Sequence, residues 1–344
     1  MKKSIRTCSI LFLILMICVI GATTVGVADI HFGQSLRIVL SKLLPSHSGW
    51  IDLSDIGLPF QKIVWSIRLP RVLMAMLVGV GLSISGAAYQ GIFRNPMADP
   101  YVLGVSSGAA FGATLAIVFI GDHSYMGFST VTICAFVGAL STIALVYVIG
   151  QVHKRNTIAT LLLAGIAVSF FLSAIVSLLM IMHREAIERV YLWTMGSMAA
   201  ANWTKVSAML PVMVLGIIVL LAFSRDLDVM VSGEEEAKSL GINVDVVRKI
   251  LLVSTSIMVA SAVSVSGIIG FVGLIVPHTV RLFFGSSHKV LLPTSALCGG
   301  IFMVVTDTFA RIAMPPVEIP VGAITAVVGA PYFIYLLLSR SGKR

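Results

Sequence analysis

From Ile158 to Met182 the chain reads IATLLLAGIAVSFFLSAIVSLLMIM, 25 residues without one charged side chain. A helix of about 20 such residues crosses the hydrocarbon core of a bilayer. Similar apolar stretches lie near 8–28, 71–93, 101–120, 126–150, 206–223, 249–266, 268–284, 290–310 and 322–339, which makes ten in all. The whole chain of 344 residues is 58% hydrophobic and 11% charged, with a mean hydropathy of +1.01. A water-soluble domain carries about 25% charged residues, so this chain lacks the polar surface needed to face water. The expected fold is an all-α polytopic membrane protein of about ten transmembrane helices. Residues 1–344 form a single transmembrane domain, because ten spans leave too little chain for a separate soluble one.

An even number of spans puts both termini on one side. The basic ends, Lys2, Lys3 and Arg6 with Arg340, Lys343 and Arg344, make that side the cytoplasm, and 15 of the 24 Lys and Arg then fall on cytoplasmic connections. The net charge of +9 is spread between apolar segments. A nucleic-acid binder would gather it on one face, so nucleic acid is excluded as a partner. The N-terminus reads either as a signal peptide, with small residues at Gly26-Val27-Ala28, or as a retained first span, which the even count favours.

Two connections hold most of the remaining sequence. The extracytoplasmic one, 29–70, carries Leu36, Val39, Leu40, Leu43 and Leu44 at helical spacing, with Arg37, Ser41 and Lys42 on the other side. That pattern predicts a short interfacial helix, lying in the headgroup layer or capping the bundle. The cytoplasmic one, 224–249, is densely charged and cannot enter lipid. There is also an internal echo. Leu82-Ser83-Ile84-Ser85-Gly86 matches Val263-Ser264-Val265-Ser266-Gly267, and Pro96 and Gly104 fall on Pro277 and Gly285 at the same offset. Five spans separate the copies, so the echo is either an inverted repeat or a chance recurrence of small residues that let helices pack closely.

The search for chemistry finds no catalytic residue, no metal set and no cofactor motif. The sequence has no HExxH, no GxSxG and no phosphate-binding GxxxxGK[ST] loop. The four cysteines, Cys8, Cys18, Cys134 and Cys298, lie singly in apolar runs and read as small hydrophobes. His278 reads as a residue satisfied by backbone or a neighbouring helix. Asp307 precedes Arg311 by four residues, the favourable order for an intrahelical pair at a span end. The spans otherwise lack acids, which argues against coupling to a proton or sodium gradient. Crowded glycines and serines in the second and third spans point to tight helix packing.

An ordered set of motifs then resembles one family. Arg68-Leu69-Pro70-Arg71, Arg94-Asn95-Pro96-Met97-Ala98-Asp99-Pro100, Leu103-Gly104-Val105-Ser106-Ser107-Gly108-Ala109, Trp193-Thr194-Met195-Gly196-Ser197, Gly233-Glu234-Glu235 with Leu240-Gly241, Gly270-Phe271-Val272-Gly273-Leu274-Ile275-Val276-Pro277-His278 and Gly329-Ala330-Pro331-Tyr332-Phe333 resemble the FecCD-type permeases of ABC importers. These serve the uptake of ferric siderophores, haem and vitamin B12. The resemblance runs through nearly the whole chain in order.

It implies a BtuC-like permease fold of ten spans in the bacterial cytoplasmic membrane, without an ATPase site of its own. The implied partners are a second permease copy or paralogue, two cytoplasmic ATP-binding subunits and an extracytoplasmic substrate-binding protein. It also implies residue roles. Arg68, Arg71 and Arg311 dock the binding protein, and arginine's planar fork suits carboxylates there. Gly233, Glu234, Glu235, Glu236, Ala237, Leu240 and Gly241 form the element that couples to the ATPases, with Glu234 to Ser239 expected as a helix capped by Gly241. Thr157, Ile158, Ala159 and Thr160 mark the cytoplasmic gate, where Ile158 and Ala159 replace the hydroxyl residues usual in the family. The rival reading is a secondary transporter that works alone on a small solute. A membrane-embedded enzyme is more distant still.

Overall fold

A computed structural model describes residues 2–26, 28, 30–44, 51–125, 127–151 and 158–341. Fifteen α-helices follow one another among them: α1 (Lys2–Thr24), α2 (Phe32–Leu43), α3 (Leu58–Lys62), α4 (Leu69–Ile92), α5 (Val105–Leu115), α6 (Thr130–Gln151), α7 (Ile158–Met182), α8 (Ile187–Thr194), α9 (Trp203–Ala222), α10 (Ser224–Ser232), α11 (Glu234–Ser239), α12 (Val244–Ser266), α13 (Val272–Phe284), α14 (His288–Ile312) and α15 (Val321–Ser341). A two-stranded antiparallel hairpin, β1 (Ser124–Tyr125) and β2 (Phe128–Ser129), joins α5 to α6. Seven of the helical segments are long and apolar enough to cross a membrane. Val105–Ile120, Val272–Phe284 and Val321–Leu336 are shorter apolar ones. Together they account for the ten stretches read from the sequence. Helices satisfy every backbone group internally, which is why such runs fold this way in lipid.

The bundle is built around α4. Nearly every residue from Leu69 to Ile92 is buried, against α14, α12, α13 and α9. Its small residues make this approach possible. A methyl group added at Gly86 would meet the Gly273 carbonyl, and one at Gly79 would meet the Gly299 carbonyl. Backbones packed this closely gain dispersion contact where lipid offers no hydrophobic drive. Outer helices instead present apolar side chains outward, such as Phe170 and Leu178 of α7 and Leu215 of α9.

α1 belongs to this packing. Leu15, Val19 and Ala22 are buried in a cluster with Val72 of α4 and Val304 of α14. The helix expected in the first long connection forms as α2, but its buried face is Ser35, Ile38, Val39 and Ser41. Leu40, Leu43 and Leu44 point outward. The Thr23 and Ser35 hydroxyls, 2.5 Å apart, join α1 to the buried face of α2. Arg37 then holds Asp55 at 2.6 Å and keeps its carboxyl below the usual range.

The sequence echo joins unlike places: Gly86 lies inside α4, whereas Gly267, at φ +71°, ends α12. All four cysteines are free. No group of three or more His, Cys, Asp or Glu suited to a metal ion occurs among the described residues.

Candidate functional site: two polar ends of one bundle

α4 and α14 run antiparallel, so the start of one and the end of the other meet at one end of the bundle. There the three arginines singled out in the sequence come together. Pro70 sits in the first turn of α4, where its missing N–H costs nothing. A π-helical turn, Ile63–Arg68, runs directly into α4 there, so Arg68 and Arg71 flank the proline on one continuous helical segment. Arg71 forks between two carboxylates. Its Nε and Nη2 reach Asp307 Oδ1 at 3.1 and 3.0 Å, and its Nη1 reaches both Glu318 oxygens at 2.9 Å. Asp307 is fully buried, while the Glu318 side chain is 45% exposed.

Arg68 and Arg311 serve a different acceptor set. Arg68 Nη1 donates to the carbonyls of Thr23 and Thr24 at 3.0 and 2.9 Å, and Nη2 to that of Ala28 at 2.7 Å. Arg311 donates to the carbonyls of Ala22 and Val25 at 2.9 and 3.1 Å, while its Nε lies 3.4 Å from Asp307. These acceptors are at or just beyond the C-terminal turn of α1, whose last carbonyls have no partner in the helix and carry partial negative charge. Two arginines therefore anchor α1. The pairing of Asp307 with Arg311 was visible in the sequence, but Arg71 is the closer partner of that carboxylate.

The acidic segment lies at the opposite end. It forms two short helices, α10 and α11, joined at Gly233, and α11 spans the residues expected of it. Gly241 closes α11 at φ +83°, a conformation open to glycine, with Gly241 N–H and Ile242 N–H returning to the carbonyls of Lys238 and Ala237 at 3.0 Å each. Ala237 is buried and seats α11 on the bundle, whereas Glu235, Glu236 and Leu240 face outward, Leu240 at 70% exposure. Glu234 turns inward to Arg248 of α12, with Arg94 3.9 Å away.

α10 is fastened as well. Asp228 accepts from Ser287 Oγ at 2.8 Å and His288 N–H at 2.7 Å, and its Oδ1 lies 2.7 Å from His288 Nδ1. A carboxylate from α10 thereby caps the start of α14. Neither Asp228 nor Glu318 carried a sequence signal, since each acts on a partner fixed only by the fold.

Between α4 and α5 the Arg94–Pro100 turn brings Asp99 to Tyr101 N–H at 2.8 Å. Burial pushes its carboxyl up to about 6. Of the expected gate residues, Thr157 lies outside the described residues, as do Val27, Asp29, Lys343 and Arg344. Ile158 begins α7, Ala159 is exposed and Thr160 half-buried. Leu161, the next residue, lines a cavity with Asp245 and Arg248 of α12.

Comparison with known proteins adds an independent line. The model of the FecCD transport family matches residues 13–339. The chain is 49% identical over 285 residues to the cobalamin import system permease protein BtuC of Halobacterium salinarum, covering 81% of this chain and 74% of that protein. It is 40% identical over 294 residues to the hemin transport system permease protein HmuU of Yersinia pestis, covering 82% and 85%. Among solved structures, a metal-chelate type ABC transporter in an inward-facing conformation matches with a TM-score of 0.82 and 33% identity, over 97% of this chain and 99% of that one.

Proposed function

The chain belongs to the FecCD transport family and is a permease subunit of an ABC importer; from that premise we propose that its cargo is a bulky metal chelate of the iron-siderophore, haem or cobalamin class. The observation that carries this reading is the likeness over 97% of the chain to a metal-chelate type transporter, joined by relatives named for cobalamin and hemin. The chain forms the membrane path in the bacterial cytoplasmic membrane, paired with a second permease copy or a paralogue. ATP is hydrolysed by two cytoplasmic subunits, in keeping with a sequence that has no phosphate-binding loop of its own.

Both termini and the acidic end face the cytoplasm in this reading, supported by the basic ends of the sequence. Glu235, Glu236 and Leu240 then meet the ATPase, and Glu234, Ala237, Gly233 and Gly241 hold that surface rigid enough to transmit force. Thr157, Ile158, Ala159 and Thr160 form the gate, the last three at the start of α7. The arginine end faces outward and receives the substrate-binding protein. Arg71 is the contact best placed for an incoming carboxylate, because one of its two partners lies at the surface. Arg68 and Arg311 shape that surface by anchoring α1 beside it.

Proteoliposomes test the reading. With ATPase subunits and loaded binding protein, the chain is expected to support uptake of a metal chelate that stops when ATP is withheld. Uptake by the permease alone on a proton gradient would overturn it.

A further inference from the structure

Lys205 belongs to neither polar end's ion pairs, yet it is a buried charge. It lies in the first turn of α9 at 5% exposure, and its Nζ donates to the Ala200 carbonyl at 2.9 Å. An ammonium has three donors, and no ion pair among the described residues includes this one. Buried charges in proteins are paired, because desolvation is otherwise too costly. Asp122 faces Lys205 across a cavity without reaching ion-pair distance, which leaves room for a further anion at the ammonium.

Two cavities meet at this side chain. The first, about 320 Å³, is polar on one side, with Arg189, Asp122, Ser129, Thr132 and Ser264 in its wall. The second, about 250 Å³, shares Lys205, Thr132 and Ser264 with it and continues as an apolar trough walled by Phe128, Phe136, Met209 and Val212. That trough runs between α6 and α9, two of the helices long enough to span the membrane. Ile133 of α6, an exposed apolar residue, borders it, and Ala208 of α9 lies exposed in its wall. Trp203, two residues before Lys205, lies against Trp65 with ring centres 4.8 Å apart and planes tilted by 36°, and it donates to the Trp65 carbonyl at 2.9 Å. Tryptophan is enriched at the headgroup level, which argues for that depth at Lys205.

A cationic pocket at headgroup depth with an apolar trough leading from it into the bilayer has the shape of a lipid. We propose that this is a binding site for one anionic phospholipid, with its phosphate on Lys205 and Arg189 and an acyl chain between α6 and α9. Asp122 lines the same cavity, and its carboxylate accepts from Ser129 Oγ at 2.7 Å. Two cations against one carboxylate leave a single net positive charge, the match of a phosphodiester's single negative charge.

Native mass spectrometry of the transporter, extracted with its partner subunits from the membrane, tests this. One anionic phospholipid per permease copy is expected to survive detergent washing. Lys205→Met, which keeps the stem and removes the charge, should lower its retention at least tenfold. Ala208→Trp, which fills the trough and leaves Lys205 intact, should also displace it and reads the same point if the first variant does not fold. Phosphatidylglycerol vesicles should raise the unfolding midpoint where phosphatidylcholine vesicles and inorganic phosphate do not. Equal retention in Lys205→Met, equal protection by phosphatidylcholine or by inorganic phosphate, or a cross-link from Ala208→Cys to a partner chain would each overturn the proposal.

Discussion

Arg71 and Asp307 stand 236 positions apart in the sequence and bind each other at 3.0 Å where α4 begins and α14 ends. Asp307 is fully buried, so its charge depends on that contact and on Arg311. Removing one partner of a buried pair leaves a charge without compensation and costs about 3–5 kcal/mol, whereas replacing both with apolar residues is often neutral. Arg71→Ala is accordingly expected to lower the unfolding midpoint of the detergent-solubilised protein sharply. The double variant Arg71→Met with Asp307→Leu should regain most of the loss. If Arg71→Ala unfolds like the wild type, the pair is not a stabilising contact.

Glu318 is the second carboxylate on Arg71, and it lies at the surface. If Arg71 receives a carboxylate from the binding protein, Glu318 occupies that place beforehand and competes with it. Glu318 is half exposed while Arg71 is buried, so the pair is only partly screened by water, and Glu318→Gln should tighten docking of the binding protein severalfold. Biosensor titration at low salt is the measurement. Weaker docking in the variant would mean that Glu318 contributes to the contact directly.

The spans were legible because each is a long apolar run, and the α11 helix because its acids, its length and Gly241 all point the same way. The three arginines were legible as a group through their motif and their place at span ends. Their partners were not. Arg68 binds carbonyls near residues 23–28, Arg71 binds Glu318, and Arg248 meets Glu234, and periodicity carries no information about such distant pairs. The leucine stripe of α2 is legible from its spacing, whereas the contact of its other face, Ser35 with Thr23 of α1, is again a pairing that spacing does not carry.

Asp99 gives a pH dependence with a definite sign. Its folded-state value of about 6 lies above the ordinary 3.8, so the folded protein binds the proton more tightly than the unfolded chain. The stability this contributes is fully present below about pH 4 and is lost as pH rises through about 6. Asp99→Asn keeps an acceptor for Tyr101 N–H and removes the titration. Unfolding midpoints measured from pH 4 to pH 7 should show wild type falling relative to the variant as pH rises. A constant difference across that range would remove Asp99 from the account.

Asp228 is the single described side chain of α10 that caps the start of α14, and α14 ends at Arg311 beside the Arg71 and Asp307 pair. A helix of that length spans about 37 Å, so α14, with Pro293 in its first half, joins the α10 end of the bundle to the arginine end, the two surfaces proposed above for the ATPase and the binding protein. Loss of a helix cap costs about 0.5–2 kcal/mol, too little to unfold the protein but enough to let α10 move without carrying α14. Asp228→Ala should therefore leave assembly and basal ATP hydrolysis of the complex near wild type while binding-protein stimulation falls severalfold. Asp228→Asn, which keeps one oxygen for the His288 N–H and places an NH2 where Oδ2 accepts from Ser287, should fall between the two. Stimulation that survives intact in Asp228→Ala would show that force reaches the outer surface by another helix, with α12 and its Arg248 contact to Glu234 the next to probe.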